Sequence, residues 1–329
     1  MKAKERWVKY FDCVVRASVR STVKGSLTMA RVPPTSLRVI LGELQALIAK
    51  DHVVEIGGAG DKPYLWLTRV HLPADGDKAL ILLTRSDRSA ADLAIHDSAT
   101  GQITVAAKTP TQGNAYSAHI GISLSSLAGD RYLMVVEDAI GIGGAAISRL
   151  LSKGIREATK LGSKAFLYRH PDNTFNRDGT PKTLKGSYKI EVMGHPSLDF
   201  EYELNNGELK DIEVVDATVT AQNYDGYNAT SFRSKTIRLK PLNTLTVKAH
   251  DVVKGVCQRA VQQRMDQVRI KFADTEGVDH TVVLDPRSAG MLNEERFIKR
   301  ELIDGFENRL STATAEINVE IRDRILAKL

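Results

Sequence analysis

The sequence contains little cysteine and no long apolar run, and each shortage excludes a class of protein. Its 329 residues include two cysteines, Cys13 and Cys257, which form neither a CxxC pair nor a metal-ligand spacing. We therefore expect two buried free thiols rather than a disulfide framework. No segment approaches the roughly 20 consecutive apolar residues that cross a bilayer. The first residues, MKAKERWVKYFDCVVRAS, carry charges where a signal peptide needs its apolar stretch, so we expect a cytoplasmic location.

Signatures of the common catalytic and cofactor sites are missing as well. The eight histidines form no HExxH or HxH pair, and neither GxSxG nor GxxxxGK(S/T) occurs. The stretch at Gly141, Gly143 and Gly144 lacks the third glycine of a dinucleotide-binding turn and the acid about 20 residues further on. A tight strand-to-helix turn is the prediction there, and a phosphate-binding turn is the alternative. The sequence thus predicts no cofactor, no metal ion and no small-molecule substrate.

Charge is plentiful, but it is segregated along the chain. The formal net charge is +6, but its distribution is uneven. Residues 149–190 contain ten basic and three acidic residues, and residues 232–271 contain ten basic and two acidic ones. Between them, residues 191–231 contain one basic and nine acidic residues. Two basic blocks that bracket an acidic one either neutralise each other across a folded sheet or present one basic surface to a polyanion.

Hydrophobic periodicity predicts an α+β protein with two domains, in which mixed or antiparallel sheets carry packed helices. The predicted divisions are an N-terminal α+β domain (1–148), a strand-rich second domain (149–245) and a helix-hairpin-helix segment (246–329) that packs on either domain. Turn-forming residues are dense at 169–185, which predicts a loop or mobile finger rich in basic residues.

Several local elements follow from the same patterns. The most regular is PPTSLRVILGELQALIAKD, which predicts a helix capped by Thr35 or Ser36. A short helix is expected from Ser89 to His96, and the segment NEERFIKRELIDGFENRL reads as a longer one. The terminal segment EINVEIRDRILAKL predicts an amphipathic helix of about four turns. Its apolar stripe docks either on its own domain or on a second subunit.

One acidic segment allows an enzymatic alternative. In HPSLDFEYELNNGELKD, a hairpin turn at Asn205 to Gly207 would place Asp199 on one arm and Glu208 and Lys210 on the other. Restriction-type nucleases use an Asp and an ExK on adjacent strands to hold a metal and assist the attacking water. A metal-dependent nuclease of a phage-defence system is therefore the alternative to a non-catalytic protein.

The order of features from residue 7 to about 310 carries a family resemblance. It begins with WVKYFDCVV, LRVILGELQALIAKDHVVEIGG and PYLWLTRV, and continues with ALILLTRSDRSAADL and YLMVVEDAIGIGGAAISRLLSKGI. KTIRLKP, VKAHDVVKGVCQRA, QVRIKFADTEG and ERFIKRELIDGFENRL complete it. This order resembles the RexA family of temperate-phage exclusion proteins. The basic finger and the extension after Leu310 are longer than the family pattern.

The resemblance implies a two-domain homodimer, with a fold related to the DNA-binding protein RdgC, that binds double-stranded DNA without strong sequence preference. It also implies a role in a lysogen of a bacterial host, in phage exclusion and the lysis–lysogeny decision, beside a membrane-protein partner of the RexB type. The charge pattern supports the DNA part independently, because a sequence-blind binder needs Lys and Arg near phosphates and no base-reading motif. A scaffold that grips an acidic protein is a third hypothesis.

The candidate DNA-binding residues are the basic side chains of the two basic blocks. They are Lys153, Arg156, Lys160, Lys164, Arg169, Arg177, Lys182, Lys185, Arg233, Lys235, Arg238, Lys240, Lys254 and Arg259.

Overall fold

The computed structural model describes residues 2–19, 35–58, 63–170, 173–216, 235–242, 247–292 and 295–329. Within these ranges the chain combines helices with a large antiparallel sheet, which confirms the predicted α+β class. No helix in these ranges has both the length and the apolar character that a bilayer span requires. Arg233, one of the candidate DNA-binding residues, lies outside the described residues.

The described helices are α1 Leu37–Ile48, α2 Gly144–Lys160, α3 Leu198–Asn206, α4 Ala249–Gln262 and α5 Val319–Leu326. The described strands are β1 Arg6–Val19, β2 Glu55–Gly57, β3 Tyr64–His71, β4 Lys78–Asp87, β5 Leu93–His96, β6 Ile103–Ala106, β7 Asn114–Ala128, β8 Arg131–Glu137, β9 Leu167–Arg169, β10 Thr183–Gly194, β11 Glu208–Asp216, β12 Lys235–Leu239, β13 Gln267–Ala273, β14 Asp279–Leu284 and β15 Arg300–Ile303.

The largest sheet has nine strands. Eight follow the order β2-β3-β4-β7-β8-β1-β10-β9, and β15 also pairs with β1. The long antiparallel pairing of β4 with β7 runs from Lys78↔Ser123 to Asp87↔Asn114. In β4 six consecutive residues are buried, a pattern that arises when both faces of a strand are covered.

Two helices cover part of this sheet. Ser36 caps α1 by accepting a hydrogen bond from the backbone N–H of Val39, and five Leu and Ile side chains of α1 are buried at helical spacing. This confirms the predicted helix and its Ser36 cap. Gly154 allows α2 to approach α1, since a Cβ there would lie 2.5 Å from Cδ2 of Leu44.

The terminal helix docks on its own chain, the first of the two predicted alternatives. Ile321 and Ile325 of α5 are buried, and the helix packs on β7 and β8. Gly121 of β7 leaves the necessary room, because a Cβ there would lie 2.5 Å from Cγ2 of Ile325. The predicted length of about four turns is wrong: the side chain of Asn318 caps the helix by accepting from the N–H of Ile321, so α5 has eight residues.

The chain divides into two compact units. Unit 1 comprises Met1–Val8, Cys13–Val192 and Glu301–Leu329, and unit 2 comprises Lys9–Asp12 and Met193–Arg300. These bounds differ from the predicted divisions, because residues 149–192 and the last 29 residues belong to unit 1, and Lys9–Asp12 belong to unit 2.

Unit 2 contains a four-stranded antiparallel sheet in the order β12-β11-β13-β14. Helices α3 and α4 pack on it through one apolar core. Phe200 of α3, Cys257 of α4 and Phe272 of β13 all belong to this core. Because residues of a strand alternate between faces, Arg269 and Lys271 of β13 lie on the face opposite the helices.

The expected hairpin turn at Asn205 to Gly207 is wrong, because Asp199 lies in helix α3. Ser197 caps this helix by accepting from the N–H of Phe200. Gly207 ends it, and a Cβ at Gly207 would lie 2.1 Å from the carbonyl oxygen of Ala273. The helix is therefore followed directly by β11, with glycine where the chain passes close to the backbone of Ala273.

Two expected helices are strands. Residues 93–96 form β5, which pairs with β6 in a separate two-stranded sheet closed by the hydrogen bond from Gly101 N–H to Asp97 O. In the segment 295–310, a 3-10 turn at Glu295–Phe297 is followed by β15, which pairs with β1. Strand pairing overrides the four-residue apolar spacing there, and it leaves Leu302 exposed.

Candidate nucleic-acid interface

The candidate interface lies where helix α2 packs alongside strand β10. The hydroxyls of Ser148 and Ser152 donate to the carbonyl oxygen of Ile190 at 2.6 and 3.1 Å, and the Ile190 N–H donates to Ser152 Oγ at 3.0 Å. These bonds satisfy backbone groups of a strand edge and fix α2 alongside β10. The last turns of α2 thereby meet the first residues of β10.

A groove of about 420 Å³ lies between these two elements. Its lining includes three exposed basic side chains, Arg156 and Lys160 from α2 and Lys185 from β10, and it includes no Asp or Glu. None of the three makes an ion pair with a described residue. Their charge is therefore available to an anion in solution.

The basic finger is a β-hairpin arm that continues from this groove. Strand β9 pairs with β10 from Thr183↔Arg169 to Lys185↔Leu167, and the arm extends through the bridge Phe175↔Pro181. The expected loop is thus a strand hairpin for part of its length. Near the tip, Asn176 N–H donates to Thr180 O at 2.8 Å.

The basic side chains of this arm point to solvent. Arg169, Arg177 and Lys182 are exposed, and the Arg169 guanidinium lies 5.5 Å from the ring centroid of Phe175. The described acid at the tip is Asp178, whose pKa is lowered by the hydrogen bonds it accepts from the side chain and N–H of Thr180.

The remaining candidates of the first basic block differ in availability. Lys153 is half-buried and engaged, with its ammonium 3.5 Å from Glu157 and donating to the carbonyl oxygen of Glu55. Lys164 lies in an exposed 3-10 turn before β9. The structure therefore brings Arg156, Lys160 and Lys185 together and leaves Lys153 in an internal ion pair.

On the face of the unit 2 sheet opposite the helices, here called the open face, a buried carboxylate lies close to basic side chains of the second basic block. Glu213 of β11 is 4 % exposed, and its oxygens lie 2.8 Å from Arg269, 3.4 Å from Arg238 and 3.7 Å from Lys271. Three cations thus share one negative charge. Sequence reasoning identified Arg238 and missed Arg269 and Lys271, although QVRIKFA places these two at alternate positions on one face of a strand.

The other candidates of this block do not join that group. Lys254 and Arg259 are exposed on α4, whose inner face packs on the apolar side of the sheet. Lys235 pairs in register with Asp216, and Lys240 follows the end of β12. The second basic block therefore presents cations on both sides of unit 2.

The nuclease arrangement is not assembled. Asp199 lies on α3 instead of a strand, and the Lys210 ammonium donates to Asp279, which raises the pKa of Lys210. Among the described residues, no group of three His, Cys, Asp or Glu side chains is placed to hold a metal ion. The spacing that suggested an ExK pair depended on a hairpin that the chain does not form.

Both cysteines are buried free thiols, as predicted. Burial raises the pKa of Cys257 to about 12, so this thiol is not a nucleophile near neutral pH. The glycine stretch before α2 is a tight strand-to-helix turn, in which Gly141 has φ 73° and Gly143 caps the helix through its backbone.

Comparison of the chain with protein-family models, with curated proteins and with solved structures found no match. These comparisons therefore add no support for a function to the geometry and charge of the residues described above.

Proposed function

We propose that this protein binds double-stranded DNA without strong sequence preference through the α2–β10 groove and the adjoining hairpin arm. The observation that supports this proposal is the groove lining, in which Arg156, Lys160 and Lys185 converge without a carboxylate. Phosphate groups along a duplex are the ligands that such a lining attracts, and each neutralised phosphate adds affinity by releasing counterions.

Two features favour a polymer over a single small anion. The groove continues into the exposed cations of the arm, Arg169, Arg177 and Lys182, so the positive surface is extended. A second cationic surface lies on the open sheet face of unit 2 around Glu213. Contacts to the phosphate backbone position a protein without reading sequence, which fits the lack of a base-reading motif.

The biological setting that we propose follows the RexA resemblance. We place the protein in the cytoplasm of a bacterial host as a homodimer of temperate-phage origin. It takes part in phage exclusion and in the lysis–lysogeny decision, beside a membrane protein of the RexB type.

The sheet of β5 and β6 is our candidate for the contact between two copies. Leu93, Ile95, Ile103 and Val105 are each more than half exposed on this two-stranded hairpin. A two-stranded hairpin is marginally stable alone, and both of its strands are edges within the described residues. A second copy of the same hairpin supplies both an apolar surface and a strand edge.

A mobility-shift assay with several unrelated duplexes tests the proposal. We expect every duplex to be retarded at similar protein concentrations, and retardation of none of them would refute DNA binding. Incubation of a plasmid with protein and Mg²⁺ or Mn²⁺ tests the nuclease alternative. Nicking that is lost in Asp199→Ala or Lys210→Ala would establish that alternative instead. Failure to retard DNA, together with binding to an acidic protein, would favour the scaffold hypothesis.

A further inference from the structure

A cavity of about 670 Å³ in unit 2 plays no part in the proposed DNA interface. Its volume lies within the roughly 300–1,000 Å³ of small-molecule sites. Charged and polar side chains of both kinds line it, namely His195, Asp199, Glu203, Arg296, Lys299 and Arg300. A lining with acceptors and cations together suits a ligand that has hydroxyl groups and an anionic group.

Backbone hydrogen bonds hold two of these residues in place. The His195 N–H donates to Tyr10 O at 3.0 Å, and the Lys299 N–H donates to His195 O at 2.8 Å. Tyr10 N–H in turn donates to Lys299 O at 2.9 Å. The Lys299 ammonium lies 4.0 Å from the ring centroid of Tyr10, which positions its charge. The site is therefore built on paired extended segments.

The ring of His195 is oriented by a buried carboxylate. Asp12 is fully buried, and its Oδ1 lies 3.0 Å from Nδ1 of His195. A carboxylate accepts hydrogen bonds, so this contact selects the ring tautomer with a proton on Nδ1, in which Nε2 is an acceptor. About a third of the His195 side chain is exposed. Nε2 lies on the side of the ring away from the Nδ1 atom that contacts Asp12.

The other acidic side chains define what the ligand must offer. Glu203 accepts from the N–H and hydroxyl of Thr275, both at 2.9 Å, so its carboxylate is engaged. Asp199 is exposed in the first turn of α3 and makes no ion pair with a described residue. A metal ion is not the expected occupant, since the described residues contain no group of three suitable ligands. Nε2 of His195 and the Asp199 carboxylate are acceptors for hydroxyl groups.

We propose that this cavity binds a hydroxylated phosphate ester, the class that includes sugar phosphates and nucleotides. The phosphate pairs with Lys299 and with Arg296, which is half exposed although its Nη1 lies 3.3 Å from the buried Asp274 carboxylate. Hydroxyl groups donate to Nε2 of His195 and to Asp199. This site does not depend on DNA binding, and it replaces the prediction that the protein has no small-molecule ligand.

Calorimetric titration of the full-length protein with ribose 5-phosphate, inorganic phosphate and ribose tests the site. We expect ribose 5-phosphate to bind tightest, phosphate to bind more weakly, and ribose to give no measurable heat. His195→Gln should weaken ribose 5-phosphate about tenfold and leave phosphate unchanged, because only the hydroxyl contact is lost. Lys299→Gln should weaken both ligands.

Matched controls are His250→Gln and Lys248→Gln, which lie in unit 2 and do not line the cavity. Both should bind like the unchanged protein, and near-UV circular dichroism checks that every variant is folded. Absence of binding by the unchanged protein overturns the proposal. The proposal is also overturned if neither His195→Gln nor Lys299→Gln reduces the affinity for ribose 5-phosphate, because the ligand then binds elsewhere. If a variant fails to fold, the NMR signals of the His195 ring in the unchanged protein decide the question. If these signals do not shift at saturating ribose 5-phosphate, the proposal is refuted.

Discussion

The backbone N–H of Asn318 donates to Nε2 of His119 at 3.0 Å, so a buried ring of β7 accepts from the residue that caps α5. Nδ1 of this ring lies 2.7 Å from Oε2 of Glu137, and Oε1 of Glu137 accepts from Nε of Arg6 at 2.9 Å. The three side chains are at most 2 % exposed. One buried network therefore ties the N-terminal strand, two central strands and the terminal helix of unit 1.

Replacing His119 by Phe should destabilise the protein by at least about 2 kcal/mol, because the Asn318 N–H loses its acceptor and Oε2 of Glu137 loses the ring, although Arg6 still donates to Oε1. The free energy of unfolding in urea, followed by circular dichroism, measures this loss. His71→Phe changes an exposed histidine of β3 and should stay within about 0.5 kcal/mol of the unchanged protein. Equal stabilities for the two variants would mean that the network does not anchor α5.

Removing the negative charge of Glu213 should affect DNA binding and stability in opposite directions. Glu213→Gln leaves Arg238, Arg269 and Lys271 without their shared carboxylate, so the open face of unit 2 becomes more positive. We expect tighter DNA binding, by several fold at low salt, and a loss of stability of about 1–2 kcal/mol. Glu208→Gln, at an exposed position of the same strand, is the control for a general change in charge. DNA binding by Glu213→Gln that equals that of the unchanged protein would exclude this face from the interface.

The stability of unit 2 should fall in acid through Asp274. The hydrogen bond from His280 and backbone N–H groups lower the pKa of Asp274 to about 2. Because the folded pKa lies below the unfolded value, about 3.9, the unfolded state binds more protons between these two values. This contribution is fully present above about pH 4 and is lost as the pH falls through 2. Urea midpoints measured across this range should be less pH-dependent in Asp274→Asn, whereas the exposed control Asp75→Asn should follow the unchanged protein. A slope that Asp274→Asn does not alter would contradict this assignment.

The proposed self-association through the β5–β6 hairpin can be tested by the mass of the protein in solution. Ile95→Ser combined with Ile103→Ser should reduce the mass measured by light scattering from two chains to one, because both faces of the hairpin lose apolar surface. The exposed hairpin packs little against the rest of the chain, so stability should change little. Val319→Ser changes an exposed residue of α5 and should leave the mass unchanged. A dimer that persists in the double variant would place the contact elsewhere.

Local signals explain how far the sequence predicts this fold. Helices α1 and α2 were predictable because their apolar residues recur at helical spacing within one segment. The sequence does not predict helix α3, because Asn205 to Gly207 are typical of a hairpin turn, whereas in the structure Gly207 ends a helix. Other contacts depend on tertiary structure. Hydrogen bonds from Ser148 and Ser152 to β10 bring Lys185 beside α2. Asp12 pairs with His195, which is 183 positions away in the sequence. No periodicity within a segment indicates such contacts.

The salt dependence of DNA binding tests most directly whether the α2–β10 groove contacts DNA phosphates. We compare the unchanged protein with a triple variant, Arg156→Gln, Lys160→Gln and Lys185→Gln, and with a control, Lys254→Gln and Arg259→Gln on the outer face of α4. Each lost phosphate contact should reduce the slope of log affinity against log salt by about 0.9. The triple variant should therefore lose up to about 2.7 in slope and bind weakly at every salt concentration, while the control retains most of the slope. Equal slopes and affinities for the triple variant and the unchanged protein would contradict the account.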